Sequence, residues 1–167
     1  SAFEKTDGQV VAIDGKTLRR SHDRSSNKAA IHMVSAWASK NGITLGQVAT
    51  DRKSNEITAI PKLLKLLEIK GCIVTIDAIG CQKKIAENIV DGGGDYVLAV
   101  KGNQGNLHED ITLFFDDARQ RDFFEIPHKY HEETDGDHGR VDIRRYWTVG
   151  AIEWLEDRDK WKGLNII

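Results

Sequence analysis

The chain has 167 residues, with 24 Lys and Arg against 26 Asp and Glu, a formal net charge of -2, 40% hydrophobic residues and 30% charged ones. That length buries a core without disulfides or structural metals, and no apolar run approaches the roughly 18 to 20 residues that cross a bilayer, which argues against a membrane protein or a disulfide-stapled scaffold. A near-neutral balance argues against a free-standing basic nucleic-acid module, yet it hides a basic cluster at Arg19, Arg20, Arg24 and Lys28 and acids concentrated at 132–137 and 153–159.

The first apolar run, Val10-Val11-Ala12-Ile13, predicts a strand over 9–14 that ends on Asp14 and turns at Gly15-Lys16. Strands are expected next over 30–37 and 43–50, joined as an antiparallel hairpin by Lys40-Asn41-Gly42. A helix follows, capped by Ser54 or Asn55, with apolar positions at Ile57, Ile60, Leu63, Leu64 and Leu67, a stop at Gly71, and Pro61 delaying or kinking its start. The run from Cys72 predicts a strand ending on Asp77. A second helix from Gln82 places Ile85, Ile89 and Val90 on one face and stops at Gly92-Gly93-Gly94. A strand over 96–100 then ends at Lys101-Gly102-Asn103, and a third helix is expected over 104–121.

After Pro127 the pattern alternates polar and apolar residues, which predicts a hairpin of 129–134 and 139–149 around Asp135-Gly136-Asp137, outside the main sheet. The closing residues from Trp161 read as the start of a strand, so the chain is expected to be cut short. Three strands joined without helices, then strands alternating with helices, imply a mixed α/β sheet with right-handed parallel crossovers. That order matches a ribonuclease-H-like core, in which the first and fourth strands are central neighbours.

An ionised carboxylate at the end of a buried strand costs free energy unless something positive offsets it. Two such carboxylates on adjacent strands, Asp14 and Asp77, repel each other without a cation between them, and hard oxygen donors suit magnesium. The pair therefore points to a metal site for phosphoryl chemistry. The alternative, that each aspartate only caps the following turn, is stronger for Asp14 alone than for the pair. Lys83 and Lys84 fall in the first turn of a helix, where the macrodipole disfavours cations, and a DNA phosphate would offset that cost. Lys101, Lys53, Arg19, Arg20 and Arg24 are further candidates for phosphate contact, each also readable as a solvated charge. Cys72 and Cys81 read as packing residues and the four tryptophans as packing anchors; the six histidines show no zinc spacing.

Ala12-Ile13-Asp14-Gly15-Lys16-Thr17, Lys53-Ser54-Asn55-Glu56-Ile57, Thr75-Ile76-Asp77-Ala78 with Cys81-Gln82, Tyr96 through Gln104, and His138-Gly139-Arg140 closely resemble the H-repeat-associated insertion-sequence transposases, which are DDE transposases with a ribonuclease-H-like fold. The resemblance runs from about Val10 to the last residue. It implies DNA transposition by metal-dependent strand cleavage and strand transfer, with Asp14 and Asp77 as the first two catalytic and metal-binding acids and two magnesium or manganese ions at a complete site. It also implies double-stranded DNA as partner, at transposon ends and target, and a homodimer acting in the bacterial cytoplasm, with no small-molecule substrate and no membrane. On this reading residues 1–127 form the catalytic core and 128–167 an incomplete β-rich insertion. The family's third acid, a glutamate on a later helix, has no match here, so the isolated chain is expected to be inactive. Asp142 is a weak substitute for that acid, and Glu132 and Glu133 are weaker still. The rival readings are a non-catalytic DNA-binding remnant and a same-fold nuclease. A Rossmann-like enzyme is disfavoured because Asp14-Gly15-Lys16-Thr17 supplies no glycine-rich phosphate loop.

Overall fold

A computed structural model describes residues 8–18, 31–50, 56–137 and 140–167. Among them the elements run β1 (Gln9–Thr17), β2 (His32–Ala38), β3 (Ile43–Thr50), α1 (Glu56–Leu66), β4 (Cys72–Ile76), α2 (Lys83–Asp91), β5 (Asp95–Leu98), α3 (Gly105–Gln120), β6 (His128–Asp137) and β7 (Arg140–Val149). The first five strands form one sheet in the order β3-β2-β1-β4-β5, antiparallel from β3 to β1 and parallel from β1 to β5. This is the mixed, ribonuclease-H-like sheet that the element order predicts, with β1 and β4 at its centre.

β1 does not end on Asp14; it continues to Thr17, paired with β2 from Asp14 opposite Ser35 to Thr17 opposite His32. The reason is that β1 has two partners of different reach. The ladder to β4 ends at Ile13 opposite Ile76, while the antiparallel neighbour goes on supplying hydrogen bonds.

The chain divides into two compact units, residues 1–104 with 161–163 and residues 105–160 with 164–167. In the first unit α1 and α2 pack on the sheet face that carries Val11, Ile13, Val34, Val74 and Ile76. α1 runs through Pro61 and buries Ala59, Ile60, Leu63 and Leu64, whereas Ile57, expected on the apolar face, is 41% exposed. α2 buries Ile85, Ala86 and Ile89. It ends in a Schellman motif: Gly94 N–H donates to Ile89 O, Gly93 N–H donates to Val90 O, and Gly93 sits at φ 75°, the left-handed conformation that glycine adopts without a Cβ penalty.

The second unit has its own core of Ala118, Phe123 and Val149, with Phe115 and Trp147 packed against it. α3 ends in the same motif without a glycine. Phe123 N–H donates to Ala118 O at 2.7 Å, Asp122 N–H donates to Arg119 O at 3.2 Å, and Asp122 takes φ 50°. Burial of Phe123 beside Ala118 offsets a left-handed cost of roughly 1–2 kcal/mol. β6 and β7 form an antiparallel ribbon from His128 opposite Val149, and Val149 exchanges two backbone hydrogen bonds with Ile167. No helix among the described residues is long and apolar enough to cross a membrane.

Burial raises the pKa of two groups in the first unit. Burial pushes the Cys81 thiol from 9.0 up to about 11, and burial together with the nearby Cys81 charge pushes the Tyr96 phenol from 10.0 up to about 12. Between pH 9 and 11 the unfolded chain releases the Cys81 proton while the folded chain keeps it, so folding stability falls as pH rises through that window. Urea unfolding at stepped pH should show the midpoint dropping from pH 9 to 11, with a shallower drop in Cys81→Ala.

Candidate metal and nucleic-acid site

Residues paired across a parallel ladder point to the same face, so Val10 with Ile73 and Ala12 with Thr75 line one side of the sheet. The alternation is visible in burial: Val11 and Ile13 are buried and Asp14 is exposed. Asp77 follows Ile76 in extended conformation, φ -69° and ψ 179°, and continues the same alternation in β4. Asp14 and Asp77 each follow the last paired residues, Ile13 and Ile76, of adjacent strands, which in a sheet run about 4.8 Å apart, and the alternation sends both to one face. Among the described residues no side chain pairs with Asp14, and Asp77 accepts one hydrogen bond, from Ile79 N–H at 3.2 Å. Two exposed carboxylates without a cationic side-chain partner fit a hard divalent cation such as magnesium or manganese. No cluster of three or more His, Cys, Asp or Glu forms a metal site among the described residues, and two carboxylates would supply only part of the coordination shell of such a cation.

Behind β1, on the opposite face, lies a buried ionisable pair. His32 Nε2 and Glu56 Oε1 share a hydrogen bond, with side chains only 3% and 4% exposed, and Thr17 Oγ1 lies 2.9 Å from His32 Nδ1. The pair joins the first residue of β2 to the first residue of α1 immediately beneath Gly15. A Cβ on Gly15 would lie 2.3 Å from Glu56 Oε1, so the residue after Asp14 must be glycine unless the pair moves. Neither His32 nor Glu56 stood out in the sequence as more than a lone histidine and a helix-start acid.

Beyond Asp77 the backbone makes a 3-10 turn over Ala78–Gly80 before α2. Ala78, Ile79, Gln82, Lys101, Asn103 and Ile57 line an open groove of about 350 Å³, and a second of about 330 Å³ is lined by Gln82, Lys83, Lys84 and Gln104 with Ile57, Pro61 and Ile85. Lys101, Lys83 and Lys84 thus border grooves close to Asp77. Lys84 is ion-paired with Glu87 at 2.6 Å, and the Lys83 ammonium sits 5.9 Å from the Trp161 ring centre.

Arg19, Arg20, Arg24 and Lys53 lie outside the described residues. Asp142 stands in β7 opposite Asp135, in the hairpin unit and not in the sheet that carries the acid pair. Glu132 is committed within that hairpin: it accepts from the Tyr130 hydroxyl and from Arg145 Nε, and these two bonds hold its carboxyl below the usual range. Of the tryptophans, Trp161 is buried and Trp154 stacks on Phe114, but Trp37 is 44% exposed on the same face as Asp14.

The His32–Glu56 pair makes a direct stability prediction. Glu56→Ala or His32→Ala leaves the partner buried without its hydrogen bond and should lower the unfolding free energy by about 1–3 kcal/mol. Replacing both by leucine should cost less than the two alanine losses summed. Urea unfolding of the four chains measures this, and strict additivity would show that the two groups are uncoupled.

Residues 5–149 match the family model described as "Transposase DDE domain". An "Uncharacterized protein in dhlA 3'region" of Xanthobacter autotrophicus is 45% identical over 170 residues, covering 100% of this chain and 56% of that protein. The "Putative transposase YncI" of Escherichia coli O157:H7 is 48% identical, covering 97% of this chain and 41% of its own length. The "H repeat-associated putative transposase YhhI" of Escherichia coli strain K12 is 46% identical, with 95% and 42% covered. The chain spans about half the length of these curated relatives. A solved piggyBac transposase synaptic complex with hairpin DNA superposes with a TM-score of 0.44 at 12% identity, over 83% of this chain and 33% of that one. With a matching domain model over most of its length and relatives named as transposases, the chain belongs to the transposase DDE domain family.

Proposed function

We propose that this chain is the central part of a DNA transposase catalytic domain, in which Asp14 and Asp77 hold divalent metal for strand cleavage and strand transfer. The observation that supports the reading is the parallel register that sets Ile13 opposite Ile76, each followed by an aspartate. Membership of the family supports the chemistry, and the two carboxylates supply the oxygen donors it requires. Magnesium or manganese, when bound, would lower the pKa of the attacking water or 3′-hydroxyl and stabilise the leaving 3′-oxygen.

The chain's own contribution is positioning. Asp14 is held within a strand paired on both sides up to its level, and Asp77 sits at the mouth of a turn. Lys101, Lys83 and Lys84 border the adjoining grooves, where phosphates of double-stranded DNA would be held by charge. Arg19, Arg20, Arg24 and Lys53 extend that basic set along the sequence. Residues 1–127 are assigned the two acids and 128–167 the β insertion, and the working assembly is a homodimer on two DNA ends in the cytoplasm. With two acids placed for metal among the described residues, the chain alone is expected to bind metal without cutting DNA. The absence of a third carboxylate near the pair among the described residues favours, as a second reading, a non-catalytic remnant that binds DNA independently of metal.

Calorimetric titration with Mg²⁺ or Mn²⁺ tests the proposal. The intact chain should bind, and Asp14→Ala and Asp77→Ala should each abolish the heat of binding. Metal binding that survives both substitutions would place the site elsewhere. Duplex DNA binding that is indifferent to metal, in a chain that binds none, would establish the remnant reading instead.

A further inference from the structure

Asp77 lies one residue beyond its strand, so strand hydrogen bonds alone do not orient its carboxylate. One carboxylate oxygen, Oδ1, accepts from Ile79 N–H, which ties the acid's direction to the turn that follows it. The inside of that turn is packed on the core: a Cβ on Gly80 would lie 2.2 Å from Ile76 Cγ2 and 3.1 Å from Ile60 Cδ1. Its outside is held by two side-chain amides from one place. Asn103 Nδ2 donates to Ala78 O at 2.7 Å, and Gln104 Nε2 donates to Cys81 O at 2.9 Å. Both acceptors are main-chain carbonyls, which only accept, so each amide must present its nitrogen. The two bonds bracket Ile79 and Gly80, the residues that carry the turn.

The amides come from the short turn Gly102–Gln104 that follows β5. β5 is the parallel neighbour of β4, with Leu98 opposite Ile76, and Ala99 N–H donates to Ile76 O at 3.2 Å. Clamp and clamped loop therefore leave adjacent strands at the same end of the sheet. Neutral amides suit the task. They satisfy two carbonyls without placing a charge that would compete with a cation for Asp77.

We propose that Asn103 and Gln104 are positioning residues for Asp77: their amides lock the 78–81 loop so that the carboxylate is oriented before metal arrives. The inference rests on the reading of Asp77 as a metal ligand. Within Lys101-Gly102-Asn103-Gln104, Lys101 lines a groove, while Asn103 and Gln104, which also border the grooves, donate to the loop.

The test uses Asn103→Asp and Gln104→Glu, which keep shape but replace the donor by a carboxylate facing a carbonyl, with Asn103→Ala as a neutral loss. Mn²⁺ alone is titrated into each chain by electron paramagnetic resonance, and amide hydrogen exchange is read at Ile79. Expected are Mn²⁺ affinities about tenfold weaker, the low end for loss of an outer-shell partner, and faster Ile79 exchange. The sign discriminates, because added negative charge near the site would by itself strengthen Mn²⁺ binding. Unchanged or tighter Mn²⁺ binding in all three variants overturns the proposal. Should the intact chain bind no Mn²⁺, the metal reading of Asp77 fails, and Ile79 exchange alone decides the clamp: faster exchange upholds it and unchanged exchange overturns it.

Discussion

The parallel register between β1 and β4 is the constraint from which the rest of the site follows. With Ile13 opposite Ile76, the next residue on each strand is an aspartate, and parallel pairing sends both side chains to one face. Two carboxylates about 5 Å apart repel by roughly 1–3 kcal/mol at effective dielectrics of about 80 down to 20. A sheet tolerates that cost when the acids are exposed, and a bound cation reverses its sign. A one-residue slip of β4 against β1 would send Asp77 to the helix-covered face and strand a carboxylate in the core.

The two acids are held by different means because they occupy different places in their strands. Asp14 lies inside β1, where the ladder to β2 continues for three more residues and fixes its backbone. Beneath it, the Thr17, His32 and Glu56 contacts join β1, β2 and α1, and Gly15 leaves them room. Asp77 has no strand on its far side. Its direction depends on a three-residue turn, packed from within by Ile76 and Ile60 and held from without by Asn103 and Gln104. One acid is thus fixed by secondary structure and the other by tertiary contacts, and the second is the more easily disturbed.

The hairpin unit follows a separate logic. Its core is aromatic, built on Phe115, Phe123 and Trp147, and a left-handed Asp122 is tolerated so that Phe123 can be buried. Glu132 pairs with Arg145 across the ribbon and Glu133 accepts from the Tyr146 hydroxyl, so these two carboxylates are engaged locally.

Strand alternation, turn residues and helix periodicity are local properties, and much of them was readable along the chain: the strand over 43–50 and the α2 stop at the glycine triplet fall where the pattern puts them, and a hairpin does follow Pro127, but Asp135-Gly136-Asp137, expected as its turn, is part of β6 and paired with Arg140–Asp142, because the ladder to β7 carries the strand past the turn-forming residues. The fold class followed from the order of elements, and the acid pair from two runs that both reach an aspartate. Other features lay beyond local pattern. Where β1 ends depends on the reach of β2, which no residue in β1 encodes. The His32–Glu56 pair spans 24 residues without periodic spacing, so neither residue signals the other. The amides of Asn103 and Gln104 meet main-chain carbonyls 25 and 23 residues away, and a carbonyl carries no side-chain identity for a sequence to display. Local chemistry decided which residues form strands and which acids stand at their ends; only the folded sheet, by setting register and bringing distant turns to one edge, decided what holds those acids in place.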